Sequence, residues 1–120
     1  MVESRIYFAL IEVGIARRLD GFDYLKEAIM LCLEDVDYQN NLSKRLYPAI
    51  ARQYNTSATC VERSIRHAVE TAWLRGRLSV LQREFGNTID SERGKPTNSK
   101  FIARMADKMR NGGAYLPGGE

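Results

Sequence analysis

Residues 47–76 read YPAIARQYNTSATCVERSIRHAVETAWLRG, and this stretch decides the fold. With Leu46 just before it, the first part places Tyr47, Ile50 and Tyr54 at helical spacing. Pro48 lacks an amide hydrogen and belongs in a first turn, so this helix is expected to begin near Tyr47. Asn55, Thr56 and Ser57 supply turn and capping side chains. An uninterrupted helical run then extends from about Ser57 to Gly76, where glycine can take the left-handed stop. So short a turn forces the two helices to cross steeply, the geometry of helix-turn-helix DNA readers.

At about 100° per residue from Thr59, the second helix divides into two faces. Val61, Ile65, Ala68 and Ala72 fall together, toward a core. Thr59, Glu62, Arg63, Arg66 and Glu70 fall together on the opposite side. In this motif the N-terminal half of the second helix enters the major groove, which makes Glu62, Arg63 and Arg66 the candidate base readers. An arginine fork matches the O6 and N7 acceptors of guanine, and a glutamate can accept from the N4 amine of cytosine. A plain solvated face, with Glu62 and Arg66 paired at i, i+4, explains the same pattern and stays open here. Lys44, Arg52, Thr56, Ser57, Thr59, His67, Arg75 and Lys95 are candidate phosphate contacts, able to position a duplex without specifying its sequence. His67, the only histidine, has no metal-ligand or nucleophile arrangement around it, and Trp73 is expected to pack in the core.

Outward from this pair the chain reads as helices throughout. Ile6, Leu10 and Val13 form one stripe that ends at Gly14. A polar link over residues 16–21 leads into a second helix on which Leu25, Ile29, Cys32 and Val36 share a face, widened by Tyr24, Ala28 and Leu31. Asp20 or Asp23 is the expected N-cap, and the stop is expected near residues 37–41. Beyond Gly76, Leu78, Leu81 and Phe85 suggest a short helix, followed by a polar loop over 87–96. Thr97, Asn98 and Ser99 cap a last helix bearing Phe101, Ile102, Met105 and Met109. The expected fold is all-α, about six helices forming one unit over residues 1–110, with a flexible glycine-rich tail over 111–120.

The 120 residues, 44% of them hydrophobic, suffice for one core. No apolar run approaches the ~20 residues a bilayer requires, and the N-terminus lacks a signal-peptide layout, so a cytoplasmic protein with no membrane contact is expected. Cys32 and Cys60 lack the spacing of a zinc site and read as reduced thiols; no metal or cofactor is implied. The net charge is only +3, but it is unevenly spread. Residues 1–43 hold four basic against eight acidic side chains, whereas residues 44–77 hold seven basic against two acidic. A basic middle segment is what contact with a polyanion requires.

The runs over residues 47–56, 61–70 and 72–76, with Glu12-Val13-Gly14, the stretch GFDYLKEAI at 21–29 and Lys95-Pro96-Thr97-Asn98-Ser99, resemble the C-terminal effector domain of the sporulation stage zero protein A family. These are response regulators of endospore-forming bacteria, and the resemblance spans roughly residues 4–110. It implies a six-helix fold containing a helix-turn-helix. It also implies recognition of a TGTCGAA-type element, often in tandem copies occupied by adjacent domains as a dimer. Family base contacts match Glu62, Arg63 and Arg66, the three that helical geometry selects independently. A contact with an RNA polymerase sigma factor is implied as well. Two departures stand out: Cys60 replaces a usual arginine, and Ile11 a usual histidine. No phosphoacceptor receiver domain precedes Met1, so the usual switch is expected either to be absent or to lie outside this chain. The alternative function is a helical protein-interaction module, binding a sigma factor or a sister regulator without specific DNA binding. An enzyme is a distant third, since no nucleophile, base or metal constellation is legible.

Overall fold

The computed structural model describes residues 2–75, 81, 83 and 95–111. Among them are five α-helices and no strand: α1 (Val2–Val13), α2 (Asp20–Glu34), α3 (Tyr47–Tyr54), α4 (Ala58–Arg75) and α5 (Asn98–Arg110). The all-α expectation holds, with five helices where about six were expected. The remaining one was placed over 78–85, where only Leu81 and Arg83 are described, both helical, Leu81 buried in the core. The expected stop at Gly76, most of the 87–96 loop and the tail beyond Asn111 lie outside the described residues. No described helix is long and apolar enough to cross a membrane.

α1 turns Ile6, Leu10 and Val13 inward, all with no exposed surface. Gly14 ends it at φ 98°, a left-handed conformation that glycine adopts without steric cost. The Gly14 amide donates to Ile11 O and the Ile15 amide to Leu10 O, both at 3.0 Å. This Schellman pair satisfies carbonyls the helix would otherwise orphan.

α2 is the central element, packed on α1, α4 and α5. It begins at Asp20, so Gly21 belongs to its first turn rather than to the polar link. Its N-cap is Leu19, with no side-chain capping bond, and neither Asp20 nor Asp23 fills that role. Their carboxylates instead sit in the first turn, favourable against the positive end of the helix dipole. The helix also stops earlier than the apolar spacing implies. Asp35 is extended, and its carboxylate accepts from the Asp37 amide at 2.9 Å, starting a 3-10 turn over Val36–Tyr38. A local carboxylate–amide bond thus competes successfully with helix propagation. Val36, expected on the buried face, is 55% exposed.

A π turn, Leu42–Leu46, precedes α3. A proline ring crowds the carbonyl four residues back, and a wider turn upstream of Pro48 accommodates it. α5 opens at Thr97, whose Oγ1 accepts from the Lys100 amide at 3.2 Å, and buries Phe101, Ile102, Met105 and Met109 as its pattern predicts. Lys108 is also buried, its Nζ 3.7 Å from a Glu12 carboxylate oxygen. Trp73 meets Phe101 edge-on with ring centres 6.2 Å apart, as expected of a packing residue.

Both cysteines are free. Burial pushes the Cys32 thiol up to about 11, against the nearby Arg110 charge that pulls it down. An unfolded chain ionises this thiol from its ordinary value of 9.0 while the native state still holds the proton, so stability falls as pH rises from about 9 toward 11. Chemical denaturation at pH 8 and 10.5 is expected to show that loss in the wild type and a smaller one in Cys32→Ala.

Candidate nucleic-acid interface

The turn between α3 and α4 has a specific local cause. Asn55 takes φ 56° and ψ 51°, a left-handed position asparagine tolerates better than most side chains. The Thr56 amide donates to Ala51 O at 2.9 Å, closing α3, and Ser57 Oγ accepts from the Cys60 amide at 3.0 Å, opening α4. Two caps only two residues apart, Asn55 closing α3 and Ser57 opening α4, fix the abrupt change of direction.

Underneath, Val61, Ile65, Ala68 and Ala72 have no exposed surface, as the face analysis predicts. Val69 is buried too, which that analysis missed; it lies along the cleft where Pro96 and Asn98 approach α4, so the buried arc is wider than one helix's periodicity shows. The outer side carries the candidate readers. Arg63 and Arg66 are exposed and Glu62 is half-buried. Arg66 and Glu62 form an i, i+4 ion pair, so the stabilising contact of the plain solvated face is present in the free chain. Arg63 differs: among the described residues no carboxylate lies within ion-pair distance of it, although Asp20 lines the same groove.

The proposed phosphate residues fall into groups. Ser57 and Thr59 lie exposed at the start of α4, with Thr56 half-buried in the turn. Lys44 is exposed on the π turn, beside Ser43 and Ser99. His67 lies beside Arg63 along a groove formed with Leu19, Asp20 and Gly21 of α2's start. Lys95 is half-buried, its Nζ 3.6 Å from a Glu70 carboxylate oxygen, on a cleft shared with Glu62 and Arg66. Arg52 is exposed near the end of α3. Arg75 is not brought to the readers: twelve residues beyond Arg63 on one helix, it is displaced roughly 18 Å along the axis.

Sequence reasoning overlooked three polar residues here. Asn98 donates from Nδ2 to Glu62 O and to the Tyr47 hydroxyl, both at 3.2 Å. Ser99 and Lys100 are exposed beside it at the start of α5. Their sequence signal, Thr97-Asn98-Ser99, shows the cap and contributes to the family resemblance, but spacing within one helix does not show the contacts to α3 and α4. Burial pushes the Tyr47 phenol above its ordinary range, partly offset by the Asn98 hydrogen bond, and Glu62 raises it further while Arg66 lowers it.

Two helices joined by a doubly capped turn, the second presenting arginines and a glutamate to solvent, define a helix-turn-helix DNA-binding domain. More specifically, the chain belongs to the family described as the sporulation initiation factor Spo0A C terminal, whose model matches residues 6–109. It is therefore a DNA-binding transcription-regulator domain of the sporulation type, and the family is one of regulators rather than of enzymes.

Proposed function

We propose that α4 enters the major groove of a TGTCGAA-like element and that Glu62, Arg63 and Arg66 read its bases. The observation that carries this reading is Arg63, exposed and without an ion pair among the described residues, on the outer face of the second helix beside the Glu62–Arg66 pair. An arginine fork matches the O6 and N7 acceptors of guanine, and the neighbouring glutamate can accept from the N4 amine of cytosine. Lys44, Arg52, Thr56, Ser57, Thr59, His67, Arg75 and Lys95 supply phosphate contacts. Residues 1–110 form the DNA-binding unit, working in the cytoplasm, with two copies on tandem elements and a sigma factor as the transcriptional partner.

A duplex carrying TGTCGAA, titrated against a scrambled duplex at moderate salt, tests the reading. Tighter binding to the first is expected, and equal affinities would instead favour the protein-interaction module. Cys60 provides a second check on geometry. It is half-buried in the first turn of α4, at a position where the family resemblance implies an arginine. Cys60→Arg is expected to tighten binding to both duplexes and to steepen the slope of log affinity against log salt by about 0.9, the signature of one added phosphate contact. An unchanged slope places residue 60 away from the backbone.

A further inference from the structure

Asn98 holds an unusual position. One amide nitrogen donates to two acceptors on two other helices, the main-chain carbonyl of Glu62 on α4 and the hydroxyl of Tyr47 on α3, each at 3.2 Å. These are the two helices of the helix-turn-helix. The reverse orientation of the amide would set its oxygen against the Glu62 carbonyl oxygen, so the donor orientation is the one the surroundings enforce. Asn98 is itself anchored. It is the first residue of α5, whose start is fixed by the Thr97 cap and whose Phe101 and Ile102 have no exposed surface. Tyr47 is likewise held, only 6% exposed.

The acceptor on α4 is informative. A carbonyl inside a helix already receives the amide four residues on, here that of Arg66, and Asn98 occupies its second lone pair. The pinned peptide therefore belongs to the turn that carries Glu62 and Arg66. A helix with side chains is roughly 10–12 Å across, so a rotation of about 10° about the axis displaces its side-chain tips by roughly 1 Å. Bidentate recognition of a base edge tolerates little more than half of that.

We infer that Asn98 is a positioning residue for sequence recognition, setting the rotation of α4 against α3 and α5 without itself reading a base. This rests on the DNA-reading function proposed above. The test titrates TGTCGAA and scrambled duplexes with the wild type, Asn98→Ala and Tyr47→Phe, alongside thermal melts. Asn98→Ala is expected to cut the ratio of specific to scrambled affinity about 5–10-fold with scrambled affinity unchanged, and Tyr47→Phe about 2–3-fold. A purely structural asparagine would lower the melting temperature and leave that ratio at the wild-type value, which overturns the inference. If Asn98→Ala does not fold, Tyr47→Phe decides alone, and an unchanged ratio again overturns it. Equal affinities in the wild type would remove the DNA-reading function and this role together; a wild-type ratio retained by both variants removes only this role.

Discussion

Arg63→Ala should weaken binding to a TGTCGAA duplex by about 1–3 kcal/mol while leaving a scrambled duplex nearly untouched. Arg63 is the cleanest of the three candidate readers to truncate because, among the described residues, it has no carboxylate partner. Removing Arg66 also releases the Glu62 carboxylate from its ion pair, so its loss mixes a missing base contact with a newly unpaired negative charge near phosphate. Arg75→Ala is the control. Roughly 18 Å along the helix, a phosphate-contacting Arg75 should weaken both duplexes alike and flatten the salt slope by about 0.9. Fluorescence anisotropy across a salt series separates the two patterns. An Arg63→Ala loss shared equally between the duplexes would make Arg63 a backbone contact rather than a reader.

What was legible in the sequence was whatever is governed by local periodicity and local capping. Ile6, Leu10 and Val13 point inward because residues three and four apart share a helix face, and the Asn55–Ser57 turn follows from the capping chemistry of its own side chains. The split between Ile65 and Arg66 is of the same kind. Illegible features depend on partners distant in the chain. Val69 is buried beside a cleft that it shares with the segment around Pro96, and Lys108 is buried against Glu12 of α1. Val36 fell to a competition between an apolar stripe and a single carboxylate–amide bond at Asp35, which spacing cannot arbitrate. Asn98 looked like part of a cap because its acceptors lie 36 and 51 residues away. That the candidate readers lie off the core was legible because the split between the two faces is written in one helix; the contacts that hold that helix were missed because they are written in three.

Gly21→Ala should destabilise the fold by about 1–3 kcal/mol and weaken specific DNA binding with it. Inside a helix the change from glycine to alanine ordinarily stabilises by about 1 kcal/mol, so the sign of the outcome is diagnostic. Here a Cβ at Gly21 would lie 2.3 Å from Ser64 O and 2.8 Å from Ala68 Cβ. The first of these is a main-chain atom that no rotamer change can move aside, so α2 and α4 must part. Ala68→Gly in the same chain is therefore not expected to rescue the variant, since it removes the methyl contact and leaves the carbonyl clash. Because Ser64 adjoins Arg63, and Arg66 and His67 follow within one turn, the parting is transmitted directly to the proposed reading face. Thermal melts with the same duplex titrations measure both effects. A variant that melts at or above the wild-type temperature would show that the two helices are not in the close contact from which the reading helix takes its position.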